Sequence, residues 1–386
     1  MRTVYLDYAA TTPLDEQVLE AMLPYLKNNF GNANSIHHLG QQAKVVVEDA
    51  RESIAAAIGA EPSEVIFTSG GTESDNAAIK GVLTASGAKN EIISSEIEHH
   101  AVLHTVEMSK INGYKTLFAE CNSSGVITPE AVEKLITDKT AVVSIMHVNN
   151  EIGTLNDVAE IAKVCKTHNI PFHTDAVQSL GKLSLNVKEL GIDLMSGSAH
   201  KIYGPKGIGL LYVKNGTPWI PWLTGGSQER RRRGGTLNVP GIIGFAKAVE
   251  LAVSGLEKNT AHFKKLRELL LRTLNEKLTV NYCINGETEN GMPHIVNLSF
   301  YDDSNHCIDG EMLLLNLDIE GICVSNGSAC TSGAVEPSHV LSGIGVQDDI
   351  AKSSIRLSFG KHTTEEDILY LVEKLEAITT RMFALA

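Results

Sequence analysis

The sequence is short of positive charge: 33 lysines and arginines stand against 46 aspartates and glutamates, for a formal net charge of -13. A nucleic-acid-binding face needs a basic excess, so that class of function is set aside, and the acidic balance chiefly favours solubility. No apolar run approaches the roughly 20 residues that span a bilayer. The first residues, MRTVYLD, put an acid where a secretory signal would carry its apolar core. We therefore expect a cytoplasmic chain with neither a nucleic-acid nor a membrane partner. The six cysteines, Cys121, Cys165, Cys283, Cys307, Cys323 and Cys330, lack the close pairs of a disulfide framework or a zinc knuckle. Most are expected to be reduced, buried and inert, because a free cysteine behaves as a small hydrophobe. Internal repeats and low-complexity tracts are missing too.

What is present is a chain of 386 residues, 43% hydrophobic, long enough for a large core and a second domain. Over residues 65–214, short β-rich runs alternate with helical patterns: VIFTS then ESDNAAIKGVL, EIISSEI then HAVLHTVEMSKI, AVVSIMHV then VAEIAKVCKTH, and finally IPFHTDA. That alternation predicts parallel strands joined by crossover helices, with ligands collecting at the carboxyl ends of the strands. Two long helical patterns beginning near Val239 separate this part from HIVNLSF, GEMLLLNLD, ICVS and SSIRLSFG, which read as a smaller α+β unit closed by a helix from TTEEDI. The expected division is a large domain over 14–260 and a small domain built from 1–13 and 261–386. The short segment 4–13 is expected to pack across both.

Three strand ends carry candidate chemistry. After VIFTS, the turn Ser69-Gly70-Gly71-Thr72 opens a helix, with Thr72 and Asp75 spaced as a capping box. The N–H groups there could hold a phosphate, or the turn could be an ordinary capped helix start; the lysine of a Walker loop is missing. IPFHTDAVQS ends a strand in Asp175, with Gln178 three residues on. A carboxylate in that place can keep a pyridine nitrogen protonated, or it can make an Asx turn or helix cap. DLMSGSAHKIYGPKGIG sets Ser198, His200 and Lys201 after a strand and before a glycine-rich turn. A partly desolvated amine there has a lowered pKa and can form a Schiff base, whereas the structural alternative is a snorkelling surface lysine. The nearby glycines are too loosely spaced for a dinucleotide fingerprint and instead let backbone pass close to a ligand.

Two further residues stand out in the C-terminal part. Cys330 lies in SNGSACTSG, small polar residues without helical or strand period, so we expect an exposed, mobile loop at about 323–335. Cys323, on the apolar run ICV, takes the core reading. Arg356 interrupts the apolar strand SSIRLSFG, where its planar fork would bind a carboxylate, either a ligand's or that of a structural Asp or Glu.

In this order along the chain, these motifs resemble the NifS/IscS-like cysteine desulfurases of the class-V aminotransferase group, within the fold-type-I pyridoxal-phosphate enzymes. The resemblance runs from LDYAATTP to TTEEDI and is carried by TSGGTESDN, EHHAVL, MHVNNEIGT, SAHKIYGPKGIG, GGTLNVPGI and SNGSACTSG. It implies an α/β fold, a large domain with a mostly parallel seven-stranded sheet plus a smaller α+β domain, and removal of sulfur from L-cysteine to give L-alanine. Lys201 would carry pyridoxal 5'-phosphate and move protons, and Asp175 would pair with its ring nitrogen. Gln178 and Asn150 would contact the ring oxygen or substrate side, and His99 would stack on the ring. His99 read without the motif is a surface or cap residue. Gly71, Thr72, Ser198 and His200 would hold the phosphate, Thr236 would reach the phosphate of a second subunit in a homodimer, and Arg356 would bind the substrate carboxylate. Cys330 would be the catalytic thiol, taking the sulfur as a persulfide for a sulfur acceptor or iron-sulfur scaffold protein. No metal site is expected beyond Cys330 as a transient iron-sulfur ligand during transfer.

The resemblance leaves rivals: a selenocysteine lyase, a cysteine sulfinate desulfinase, a small-amino-acid aminotransferase, or a sulfur-relay scaffold. SNGSACTSG differs from the Arg-x-Gly-x-x-Cys of the sister class of desulfurases and favours the class with the long loop. Asn34, Ser227, Arg231, Arg232 and Asn326 depart from the family pattern without removing a catalytic group. The arginine run at 230–233 is expected at a subunit interface. The chain ends soon after its last helix, without the tail that in some relatives helps dock the scaffold protein, which leaves the acceptor open.

Overall fold

The computed structural model describes residues 2–304, 306–326 and 337–385. Its centre is a seven-stranded sheet, formed from β2 (Val65–Thr68), β3 (Glu91–Ser94), β4 (Lys115–Phe118), β5 (Thr140–Ser144), β6 (Phe172–Asp175), β7 (Leu194–Ser198) and β8 (Gly209–Val213). The order is β2-β8-β7-β6-β5-β3-β4, and β8 alone runs against the others. Period-two alternation splits these strands between two cores. Val65, Phe67, Ile93, Val143, Phe172, Leu210 and Tyr212 face helices Glu16–Lys27, His38–Ala57, Val158–Thr167 and Val239–Ser254. Ile66, Ile92, Val142, Leu211 and Val213 face helices Gly71–Ala85 and His100–Met108. Each fully buried aliphatic side chain contributes roughly 1.5–3 kcal/mol. A sheet covered on both faces leaves only the strand ends open, and that fixes where a ligand can reach it.

A third core surrounds a three-stranded antiparallel sheet of β9 (Asn281–Asn285), β10 (Ile295–Tyr301) and β12 (Ser354–Ser358), with β10 in the middle. Helices Leu256–Lys277, Gly310–Ile319 and Glu365–Leu385 cover it. The first strand, β1 (Val4–Tyr5), pairs in parallel with β11 (Ile322–Cys323), so Val4 and Leu6 join this core. The chain then crosses to the large sheet, where Thr12 N–H donates to the His200 carbonyl at 3.0 Å and Asp15 N–H to that of Tyr203 at 3.0 Å. The expected crossing of segment 4–13 is thus made by backbone hydrogen bonds.

Besides the two-residue β1, two strands among the described residues have no counterpart in the sequence reading, β4 and β9. Both lie on a sheet edge and open on an exposed polar residue, Lys115 and Asn281, in place of a continuous apolar run. The cysteines are less buried than expected: of the five described, only Cys165 is buried, while Cys121, Cys283, Cys307 and Cys323 are half-buried. Burial raises the pKa of all five, Cys165 to about 12, so the thiols stay protonated. Among the described residues no single helix is long and apolar enough to cross a membrane. The pair Val239–Ser254 and Leu256–Lys277 meets that test only together, and it bends by 67° at its break.

Candidate active site

The carboxyl ends of β2, β3, β5, β6 and β7 open into one cleft of about 1130 Å³, counted with its mouth. Of the residues singled out from sequence, Gly71, Thr72, His99, Asn150, Asp175, Gln178, Ser198, His200, Lys201 and Arg356 all line it. Thr236 is exposed and does not line its own chain's cleft. Cys330 and residues 327–336 around it lie outside the described residues.

At the end of β2 the helix Gly71–Ala85 begins without a side-chain cap, because its N-cap is Gly70, at φ 153°. The expected Thr72–Asp75 capping box is therefore not formed. Glu73 does part of that work by accepting the Ser69 N–H at 2.8 Å, and Arg233 clamps Glu73 at 2.8 and 3.0 Å. Asp75, one turn into the helix, is buried and faces the cleft floor. A side chain at Gly71 would meet Val177 at 2.7 Å, so the cradle depends on glycine there. Ser198 and His200 close it from β7, and the His200 ring contacts Thr11 Oγ1 at 3.1 Å.

Asp175 ends β6 with Oδ1 accepting the Val177 N–H at 2.8 Å, an Asx turn, while its carboxylate lines the cleft. Burial raises its pKa to about 6, against the pull of the Val177 N–H and the Lys201 charge. Lys201 donates to the carbonyls of Ala9 at 2.6 Å and Ala10 at 2.7 Å. Burial, and then the Arg356 guanidinium, lower its amine to about 8, while Asp175 and Asp7 oppose the shift. His99 caps helix His100–Met108 by accepting the Ala101 N–H at Nδ1, 3.1 Å, and burial first, then Lys201, lower it to about 4. Its ring is therefore neutral with the proton on Nε2.

Arg356 is buried at 4% exposure and binds Asp7 Oδ1 at 2.7 Å and the Asn150 carbonyl at 3.0 Å, leaving Nε without a partner. The structural reading of this arginine, a partner carboxylate, is realised by Asp7, and the guanidinium still faces the cleft. Asn150 Oδ1 is likewise buried without a partner.

The sequence reading passed over the layer behind these groups. Glu98 is buried, accepts the Met146 N–H at 2.8 Å and the Ser95 hydroxyl at 3.1 Å, and is pushed up to about 8, first by burial. Asn149 donates to the Ile97 carbonyl at 2.9 Å, and Glu151 accepts the Ser338 hydroxyl at 2.6 Å. An acid before a histidine pair gives no local signal of burial; only the end of β3 places Glu98 under the loop that follows β5. The arginine run is mostly bound within its own chain: Arg230 to Glu48 at 2.6 Å, Arg232 to the Ser63 carbonyl at 2.6 Å, and Arg233 to Glu73. It is anchored by a buried pair, Glu229 on Arg51 at 2.7 and 2.8 Å, across a left-handed stretch at Glu229, Arg230 and Arg231.

Residues 4–371 match the family model described as aminotransferase class-V. The chain is 48% identical to "Cysteine desulfurase IscS" of Dictyoglomus turgidum, over 99% of this chain and 95% of that one. It is 44% identical to the protein of the same name from Clostridium botulinum, over 98% and 94%. A solved structure titled "NifS-like protein" superposes with a TM-score of 0.90 at 39% identity, covering 98% of this chain and 100% of that one.

Proposed function

This chain belongs to the class-V aminotransferase family and is a cysteine desulfurase, and we propose that it works with pyridoxal phosphate bound in the cleft at the ends of β6 and β7. One observation carries this reading: a half-buried amine, Lys201, and a buried carboxylate, Asp175, face a single cavity whose wall includes an uncapped helix N-terminus at Gly71. The donor set fits the group. Gly71, Thr72, Ser198 and His200 would hold the phosphate at the positive end of the helix dipole. Asp175 would face the ring nitrogen, His99 the ring, and Gln178 and Asn150 the ring oxygen and the substrate side, the last with its unpartnered Oδ1. Bound there, pyridoxal phosphate supplies an electron sink for the bond-breaking at the substrate carbon.

The chain's own residues then divide the remaining work. Lys201, an amine lowered to about 8, is suited to take and return a proton at the substrate Cα near neutral pH. Arg356 would hold the substrate carboxylate, its free Nε and the Nη2 now shared with Asp7 forming one edge of the fork. We assign the attack on the substrate sulfur to the Cys330 thiolate: the S–S bond forms, the C–S bond breaks, and its electron pair stays with the carbon, which takes up a proton. L-cysteine and a thiol give L-alanine and a persulfide, and the balance needs no outside oxidant or reductant. The persulfide would pass to a sulfur-acceptor or iron-sulfur scaffold protein.

The same reading includes a cytoplasmic homodimer in which Thr236, exposed on its own chain, completes the phosphate site of the second subunit. It also keeps the division into 14–260 and 1–13 with 261–386. The experiment is to incubate the purified protein with L-cysteine and quantify alanine and Cys330-bound persulfide together. Equal amounts in the first turnover support the reading; alanine without persulfide removes Cys330 from it, and no alanine removes the cleft chemistry.

A further inference from the structure

Beside the cleft lies a second, narrow crevice between the two parts of the chain, and Lys201 borders both spaces. Lys182 borders the crevice alone. It is carried there by the tight turn that follows β6, in which Ser179 and Leu180 N–H groups return to the Ala176 carbonyl and Gly181 takes φ 68°. A side chain at Gly181 would meet the Ala252 Cβ at 2.6 Å. The turn brings the Lys182 amine back onto Gln178 Oε1 at 3.1 Å.

Gln178 is 4% exposed and its amide is constrained at both ends. Its Nε2 donates at 2.8 Å to the Ala9 carbonyl, the acceptor that also takes the Lys201 amine. A carbonyl can only accept and an amine facing an amide oxygen must donate, so both contacts select the same flip of the amide. We propose that Lys182 is a positioning residue: by holding Gln178 Oε1 from the crevice, it turns the amide nitrogen toward the Lys201 side of the cleft, as a donor to the cofactor's ring oxygen. The inference rests on reading the cleft as a pyridoxal-phosphate site. Lys182 does not line the cleft and acts only through Gln178. Released from Lys182, the amide is held in this flip by the Ala9 carbonyl alone, an acceptor it shares with Lys201, and it turns its oxygen inward for a larger share of the time, presenting an acceptor where a donor is needed. A donor at the ring oxygen favours its anionic form, so losing it makes the bound cofactor hold its proton to higher pH.

The test is a pH titration of the bound cofactor's absorbance in the purified holoenzyme, in the parent, Lys182→Met, Gln178→Met, the double variant and Lys182→Arg. Lys182→Met should raise the midpoint by about one pH unit, the scale of one hydrogen bond to an ionised acceptor. Gln178→Met should raise it comparably, the double variant no further, and Lys182→Arg, which keeps a donor head, should return toward the parent. If Lys182→Met loses its cofactor or its fold, Lys182→Gln takes its place, since a neutral amide can face Gln178 with either end. An unmoved midpoint in Lys182→Met overturns the proposal, and additive shifts in the double variant overturn it too, because Lys182 would then act by its charge alone. A parent protein without cofactor absorbance instead removes the cleft reading on which the proposal rests.

Discussion

Replacing Arg356 by lysine tests the substrate end of the cleft while sparing the fold. The guanidinium has three directions in use or open: Nη2 to Asp7 at 2.7 Å, Nη1 to the Asn150 carbonyl at 3.0 Å, and a partnerless Nε. A lysine keeps the positive charge, so Asp7 is not left unpaired, but it cannot present two parallel N–H groups to a carboxylate. A hydrogen bond to a charged group is worth about 1.5–3 kcal/mol, and about 1.4 kcal/mol is a tenfold change, so kcat/KM for L-cysteine should fall roughly 10- to 100-fold. A carboxylate bound there would be held before and during the reaction alike, so most of the loss should appear in KM. Steady-state alanine formation separates the two constants, with thermal unfolding as the control for the fold. Asp7→Asn should act oppositely by removing the anion that now competes for Nη2, and should lower KM. If Arg356→Lys leaves KM unchanged with the fold intact, the guanidinium does not hold the substrate carboxylate and is only Asp7's structural partner.

Lys201→Ala should abolish borohydride-fixed attachment of the cofactor; a pyridoxyl group mapped to another lysine would refute the assignment. Cys330→Ala should bind cofactor and L-cysteine, seen as spectral changes, yet form almost no alanine, whereas Cys323→Ala, whose thiol burial keeps protonated, should turn over almost normally. Glu98 has a folded pKa of about 8, raised by burial above its ordinary 4.5. Its contribution to stability is therefore complete below about pH 4.5 and lost as pH rises through about 8. Thermal unfolding of Glu98→Gln should consequently gain on the parent over that window, and a constant difference would show that Glu98 is already ionised in the fold. Glu229→Gln breaks the bidentate pair with Arg51 and should cost about 3–5 kcal/mol in urea unfolding, since a buried charge loses its partner; a change within error would mean that the left-handed loop holds itself.

The sheet was legible because its strands are short, apolar and followed by polar strand ends, a pattern that period-two burial on both faces produces by itself. The edge strands β4 and β9 were not, because an edge asks for no apolar run. At Asp175, Arg356 and His99, the structural reading is realised in a side chain that also lines the cleft. Asp175 makes an Asx turn with one oxygen and lines the cleft, Arg356 binds Asp7 while its fork borders the cavity, and His99 caps a helix with Nδ1 while its ring opens inward. A local rule reports only the local half of such a residue. The other half depends on which strand end stands next to it, which sheet order decides.

Asp75 shows where a local rule fails outright and why. Its spacing from Thr72 imitates a capping box, but Gly70 enters the helix with a backbone angle that leaves no cap, and one turn later the carboxyl points under the sheet. There its Oδ1 has no hydrogen-bond partner and stands 3.7 Å from His173 Nε2, a ring that burial lowers to about 3 and so keeps neutral. Burial first, and then the charge of Asp175, push Asp75 up, and the same two causes push up Glu98. Burial thus favours the protonated forms of Asp75, Glu98 and Glu151, with Glu98 pushed up to about 8, while Asp175, held down by the Val177 N–H and by Lys201, rises only to about 6. Three ionised carboxylates in one desolvated space would repel one another strongly. Shifts of this sense make the acid that ends a strand at the cavity the readiest of them to ionise, which is where a pyridinium nitrogen would need the charge. A sequence shows only acids, and the fold decides which of them burial holds back from ionising.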